Sequence, residues 1–178
     1  MSAPAQSAPV TLEGLYRAHV SFAWRTARYL GVSAADAQDV VHEVFLIARR
    51  RLDDYDPSRS ARAWLAGITR RVVMHHHRNQ ARTQAREAHA APPTALAHPE
   101  ERLAQEEAEA FLLRFLASLP EEKRDAFVLG ELEQMTAAEI GDIVGANPNT
   151  VASRLRSARK AFQAAVDRLD AVRRREGG

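Results

Sequence analysis

Cysteine is absent from the 178 residues, which excludes a disulfide framework, a thiolate metal site and a cysteine nucleophile. No apolar run approaches the roughly 20 residues that a membrane-spanning helix needs, so the chain does not read as an integral membrane protein. Residues 1–10 carry neither a basic stretch nor a long apolar core, so no secretory signal is read there and a cytoplasmic location is expected. There is no phosphate-cradling glycine loop, no glycine-rich strand-turn-helix and no Ser-His-Asp order, so an enzyme is not expected. His75-His76-His77 cannot converge on one ion, because successive helical residues point about 100° apart. His19, His42, His89 and His98 lack ligand spacing. The expectation is therefore no metal, no cofactor, no catalytic residue and no small-molecule substrate.

What is present is globular: 46% hydrophobic and 27% charged residues in 19.7 kDa, room for one ordinary domain or two small ones. The net charge of +2 hides a segregated pattern. Residues 59–80 hold five arginines and no acid, and residues 149–160 hold Arg154, Arg156, Arg159 and Lys160 and no acid. Residues 120–142 between them hold seven acids against two bases. Two basic patches on a nearly neutral chain suit a polyanion touched at two places, and solvated helix faces are the plainer alternative.

Apolar residues recur at helical spacing and no stretch alternates as a strand would, so the chain reads as all-α. Residues 1–10, rich in Ala, Ser and Pro, read as disordered. Helices are expected at 11–30, ended by Gly31; from Ser33, as N-cap with Asp36 three residues on, to 51; and at 61–80. Residues 53–58 form a loop by their turn residues. Residues 81–99, broken by Pro92, Pro93 and Pro99, read as a flexible linker. Further helices are expected at 100–118, 121–133, 136–144 and 148–170, with a frayed tail over 173–178. The result is two small helical modules, 11–80 and 100–172, joined by a tether.

Thr136-Ala-Ala-Glu139 is a capping box, Gly145-Ala146 a turn, Asn147 an N-cap and Pro148 a first helical residue. This is a helix-turn-helix in sequence. Val151, Leu155, Ala158 and Phe162 form the inward stripe of its second helix. Asn149, Thr150, Ser153, Arg156, Ser157 and Lys160 face outward, flanked by Arg154 and Arg159. Small polar residues at the N-terminal end, basic donors and no acid are what a helix entering the major groove requires.

In the first module Ala37, Val40, Val41, Val44, Ile47 and Ala48 form an inward stripe. Asp39, His42, Glu43 and Leu46 face outward, and an apolar Leu46 among charges hints at a protein-binding surface as much as a lone exposed leucine. On the next helix Ala61, Trp64, Leu65, Ile68 and Val72 face inward. Arg70, Met74, His77 and Arg78 face outward, with Arg59 and Arg62 at its start. Such a basic face beside Tyr55 suits a nucleic-acid strand, phosphates on arginine and a base on the aromatic; Tyr55 serves equally as a packing residue of its loop.

Leu15-Tyr16-Arg17-Ala18-His19, Asp36 to Leu46 and Ala63-Trp64-Leu65-Ala66-Gly67-Ile68-Thr69-Arg70 resemble the second region of bacterial sigma factors. Leu119-Pro120-Glu121 through Phe127, Thr136 to Ile140 and Asn149 to Arg159 resemble their fourth region. The two-module form without a domain between is that of the extracytoplasmic-function group. The resemblance implies a transcription initiation factor that binds core RNA polymerase and melts promoter DNA. It implies that Asp39, His42, Glu43 and Leu46 dock on the beta-prime clamp helices. Tyr55, Arg59, Arg62, Arg70, Arg71, Met74, His77 and Arg78 would read the minus-ten element. Asn149, Thr150, Ser153, Arg154, Arg156, Ser157, Arg159 and Lys160 would read the minus-thirty-five element. The fourth region would grip the beta flap, by residues the sequence does not single out, and an anti-sigma protein is the partner that commonly restrains such factors. His42 stands where the family usually has Gln, Ala61 where an aromatic is frequent, Arg71 where Asn is and His75 where Asp is. The alternative reading is a helix-turn-helix regulator whose first module senses a ligand or dimerises, and a helical adaptor that binds only proteins is a third.

Overall fold

The computed structural model describes residues 10–84 and 100–176, which form seven α-helices with no strand among them. The expected disorder of residues 1–9 and flexibility of residues 85–99 lie outside the described residues, as do Gly177 and Gly178.

Helix α1 (Leu12–Tyr29) starts where the Thr11 hydroxyl accepts the Gly14 N–H at 3.1 Å. It stops at Gly31, whose φ of +105° lies in the region that favours glycine. Helix α2 (Ala37–Arg50) begins later than its cap suggests. The Ser33 hydroxyl does accept the Asp36 N–H, at 3.1 Å, and donates to the Asp36 carboxylate at 2.6 Å, but these bonds close a turn and the regular helix starts after it. A 3₁₀ turn (Leu52–Asp54) opens the loop to α3 (Ala61–Gln84). Helix α3 runs four residues past the expected end, because no proline or glycine interrupts residues 81–84. Ala23, Ala27, Val40, Val44, Ala48, Leu65, Ile68 and Val72 fill the space between the three helices, as the stripes require.

Helix α4 (Glu100–Ser118) leads through Leu119-Pro120 into α5 (Glu121–Phe127), which widens into a single π turn (Val128–Leu132). Helices α6 (Ala137–Val144) and α7 (Pro148–Glu176) follow. Helix α7 carries its regular structure through Arg173–Arg175, where fraying is expected from the charge. Its core holds a ring cluster. Phe115, Phe127 and Phe162 lie with centroids 5.0–5.4 Å apart, two of the three pairs edge to face.

The capping box at α6 is complete. Glu139 N–H donates to the Thr136 hydroxyl at 3.3 Å, and Thr136 N–H donates back to the Glu139 carboxylate at 2.9 Å. The Thr136 N–H and the Thr136 hydroxyl, the latter at 2.8 Å, both donate to the Glu139 carboxylate and hold it below its ordinary value. Replacing Thr136 by Ala should cost about 1 kcal/mol in urea unfolding. The sign of the pH effect follows from the depressed folded pKa. The cap stabilises fully above the unfolded carboxylate pKa and loses that contribution as pH falls through the folded one, so the gap between wild type and Thr136→Ala should narrow in acid.

The second module does not stand apart from the first. Helix α3 lies against α6, and α1 lies against α4 and the π turn. Arg70, Met74 and His77, expected on an outward face, are half-buried, Arg70 against Asp125 of the second module and His77 against Leu30 O of the first.

Candidate nucleic-acid interface

The N-terminal half of α7 presents the face its sequence promises. Val151 and Ala158 are buried, Leu155 and Phe162 pack on the core, and Asn149, Thr150, Ser153, Arg156, Ser157, Arg159 and Lys160 are exposed. Two of the cations are already held within the module. Arg154 is half-buried and meets Glu122 at 2.8 Å, while both Nε and Nη2 of Arg159 reach Glu131, at 2.8 and 2.6 Å. Arg156 and Lys160 have no ion pair among the described residues. The helix start is shaped by Asn147, whose carboxamide oxygen accepts the Asn149 N–H at 2.8 Å.

The turn before it leaves no slack. Gly145 sits at φ +70°, and its N–H and that of Ala146 both donate to Gly141 O, at 2.9 and 3.0 Å. A Cβ on Gly141 would lie 2.6 Å from Ala146 O. The helix-turn-helix angle therefore rests on a residue without a side chain.

On α2, Asp39, His42, Glu43 and Leu46 are all exposed, Leu46 at 38%, while Val40, Val41, Val44 and Phe45 are buried beneath them. Sequence reasoning had not placed Tyr16 on this surface. Its ring stands edge-on to Phe45 of α2 at 4.9 Å and is 47% exposed, so α1 adds an exposed aromatic against α2.

The third group is brought together along α3 and the loop before it. Tyr55 turns out to be held in place by its own loop, with its hydroxyl donating to Arg59 O at 2.8 Å and its ring 5.0 Å from Trp64. Tyr55, Arg59, Trp64 and Arg71 line a cavity of about 560 Å³ whose far wall is Glu139, Asp142 and Ile143 of α6. Arg71 and Arg78 are exposed without an ion pair among the described residues. The other cations are engaged. Arg59 meets Asp142 at 3.1 Å, Arg62 meets Glu133 and lies 4.8 Å over the Phe22 ring, and Arg70 meets Asp125 at 2.7 Å. His77 Nε2 contacts Leu30 O at 3.1 Å.

Glu133 and Asp125, both at 2% exposure, are the residues sequence reasoning missed. Burial pushes the Asp125 carboxyl up and the Arg70 guanidinium pulls it back down. Glu133 also takes the Thr26 hydroxyl at 3.3 Å and lies 3.8 Å from Arg25. The only signal in the sequence was the acidic count over 120–142, which does not say which acids turn inward.

The histidine run splits three ways: His75 to Asn79, His76 to Asp36 at 3.6 Å, His77 to Leu30 O. Among the described residues no group of three or more His, Asp or Glu side chains is placed to hold a metal ion. No helix among them is long and apolar enough to cross a membrane.

Comparison with known proteins then bears on what these faces serve. The family model for sigma-70 region 2 matches residues 15–83, and that for sigma-70 region 4 matches residues 112–162, together about two-thirds of the chain. The ECF RNA polymerase sigma factor SigL of Mycobacterium tuberculosis is 29% identical over 97% of this chain and 98% of its own. The ECF RNA polymerase sigma factor SigC of the same species is 29% identical over 86% of this chain and 82% of its own. Among solved structures, the sigma factor RpoE of Bartonella quintana, in complex with the anti-sigma factor NepR, superposes with a TM-score of 0.74 at 20% identity, covering 87% of this chain and 96% of that one. A basic recognition helix on a glycine-pinned turn, an exposed acid-and-leucine face and a basic third helix thus stand in the order of two named regions, and the chain belongs to the sigma-70 family of RNA polymerase sigma factors, in its extracytoplasmic-function group.

Proposed function

We propose that this sigma factor divides core-polymerase binding and promoter recognition among three surfaces borne by two units, residues 11–80 and 100–172. Asp39, His42, Glu43 and Leu46 of α2, with Tyr16 beside them, dock on the beta-prime clamp helices of core RNA polymerase. Asn149, Thr150, Ser153, Arg156, Ser157 and Lys160 enter the major groove of the minus-thirty-five element, with Arg154 and Arg159 bracing the helix through Glu122 and Glu131. Arg59, Arg62, Arg70, Arg71, Met74, His77 and Arg78, around the Tyr55–Trp64 cavity, hold the minus-ten strand. The observation that carries this reading is the exposed polar face of α7 over residues 149–160, which holds no acid.

The physics asks for no catalysis by the factor. Each unit alone binds DNA weakly, and the chain joining them raises the effective concentration of the second contact. Strand separation is driven by binding energy for unstacked bases, about 1–3 kcal/mol for each base stacked on an aromatic. Lysine and arginine contacts to phosphate make the complex salt-sensitive.

The apolar groove between α4, α5 and α7, about 690 Å³ and lined by Phe111, Leu112, Leu132, Phe162, Val166 and Leu169, offers a helix-sized seat and is our assignment for the beta flap. An anti-sigma protein is the expected restraint, a reading supported by the complex in which the Bartonella factor was solved. The cytoplasm, where core polymerase and promoter lie, is the expected location.

Arg156→Ala should weaken binding of holoenzyme to duplex carrying the minus-thirty-five element by about 1–3 kcal/mol, measured by fluorescence anisotropy. Arg154→Ala should cost less, because its guanidinium is already spent on Glu122. Equal affinity of Arg156→Ala and wild type would remove this face from the account.

A further inference from the structure

We infer that the chain binds a free nucleoside di- or triphosphate in a trough along α3, with the base at one end and the phosphates at the other. Two cavities make the trough. The one described above, about 560 Å³, has Tyr55 and Trp64 on its near wall. A second, about 540 Å³, lies further along α3 beside Arg70, Arg71, Arg78 and Glu121. Gly67, Arg71 and Ile143 line both, so the two meet there. Each lies within the range of about 300–1,000 Å³ that small-molecule sites occupy.

The aromatic end suits a flat ring. The Tyr55 hydroxyl is tied to Arg59 O at 2.8 Å and its ring lies 5.0 Å from Trp64, so the two rings form a wall already held in place. Every base has a π-face and can stack on such a wall. The charges of this end fix which part of the ligand enters it. Asp54, Asp56, Glu139 and Asp142 outnumber Arg51, Arg59 and Arg71 here. Two of the arginines are already engaged, Arg51 3.5 Å from Asp54 and Arg59 3.1 Å from Asp142. A phosphate would be repelled, and the uncharged base is the part that fits.

The other end reverses the balance, with Arg70, Arg71 and Arg78 against Glu121 alone. Arg70 is tied to Asp125 at 2.7 Å. Arg71 and Arg78 are exposed and have no ion pair among the described residues. Seven residues apart on a helix, they share a face about 10 Å apart along the axis. That separation suits a chain of phosphates more than a single one, and each guanidinium offers a fork of donors that matches phosphate oxygens. Arg71 stands at the junction, where the phosphate nearest the sugar would fall. The junction itself is bare on the side of α3, because the residue there is Gly67, and a Cβ on it would lie 3.8 Å from Ile143 Cγ1.

The consequence is regulatory. Tyr55, Arg71 and Arg78 are among the residues assigned above to the minus-ten strand, so a bound nucleotide competes with that strand. This competition rests on the reading of α3 as the strand-holding helix, whereas nucleotide binding does not.

The test uses the full chain carrying Trp24→Phe, which leaves Trp64 as its one tryptophan. ATP is the probe, with EDTA present, and adenosine and tripolyphosphate are its two halves. The expected result is saturable quenching of Trp64 by ATP with half-saturation below about 1 mM. Adenosine and tripolyphosphate should each bind at least tenfold more weakly. Arg71→Ala/Arg78→Ala should weaken ATP binding at least tenfold. Arg168→Ala/Arg174→Ala, which removes two exposed arginines of α7 outside the trough, should leave it unchanged. Should the first pair unfold the chain, the comparison of ATP with its halves decides. Absence of saturable quenching overturns the inference. Tripolyphosphate binding as tightly as ATP, or an equal loss from the two arginine pairs, shows only adventitious pairing with surface arginines and overturns it as well. Run-off transcription with core polymerase, carried out in parallel without added probe, reports on the promoter-recognition reading, so failure of either is told from failure of the other.

Discussion

Gly141→Ala should abolish recognition of the minus-thirty-five element without altering any side chain that faces DNA. The added Cβ would stand 2.6 Å from Ala146 O, a backbone atom that cannot swing aside. The carbonyl of Gly141 itself receives two N–H donors from that same turn, so relief requires the turn to open and α7 to leave its angle to α6. Overpacking of this kind costs about 1–3 kcal/mol of stability. The loss in binding should exceed tenfold, because a recognition helix displaced by an ångström misses several contacts together. Gly145→Ala is the matched comparison. It too sits where glycine is favoured, at φ +70°, but a Cβ there meets nothing within 4 Å. It should cost about 1 kcal/mol of stability from the left-handed backbone alone and leave the helix angle intact. Urea unfolding and anisotropy with a duplex bearing the element separate the two. Equal effects of the two substitutions would show that the turn does not set the recognition geometry.

The second large effect is expected on core polymerase. Asp39→Arg combined with Leu46→Asp reverses the charge at position 39 and removes the exposed apolar anchor of α2 in one step. A central interface residue is worth about 2 kcal/mol or more, so the affinity for core should fall about thirtyfold or further. Both side chains are exposed, so the melting temperature should stay close to that of wild type, as surface substitutions usually do. Competition with a labelled factor for purified core checks it. A folded double variant that competes as well as wild type would remove the α2 face from the account.

What the sequence made legible is local physics. Thr136 with Glu139, Gly145, Asn147 and Pro148 are start and stop signals whose partners lie within four residues, so the helix-turn-helix follows from short-range bonds alone. The stripes on α2 and α7 follow from a period that is likewise local. The misplaced helix boundaries have local causes of a weaker kind. Ser33 makes its capping bonds yet only closes a turn, and the alanine and arginine residues past Gln80 carry α3 on because nothing there stops a helix.

The illegible part is what comes together over distance. Arg62 and Glu133 are 71 residues apart, Arg59 and Asp142 83 apart. Nothing in the spacing of Glu133 marks it as the one acid of its stretch whose side chain is fully shut away. The π turn that carries Val128 to Leu132 redirects the chain just before it, and no residue in Val128-Leu-Gly-Glu-Leu132 signals the extra residue in the turn. The same long-range packing half-buries Arg70 on the outward face of α3, while Arg78 of that face stays exposed. A helix face with no acid and many arginines reads as solvent-exposed until another module supplies the acids.

As a sigma factor, this chain gives core RNA polymerase the ability to start transcription at a defined site. Run-off transcription from chromosomal DNA of the source organism, with purified core and the purified factor, followed by sequencing of transcript ends, tests it most directly. The expected result is transcript starts at a fixed distance downstream of a shared pair of elements, present only with core and factor together and lost with Gly141→Ala. Site-specific DNA binding by the chain alone, with no factor-dependent starts in the presence of core, would contradict it.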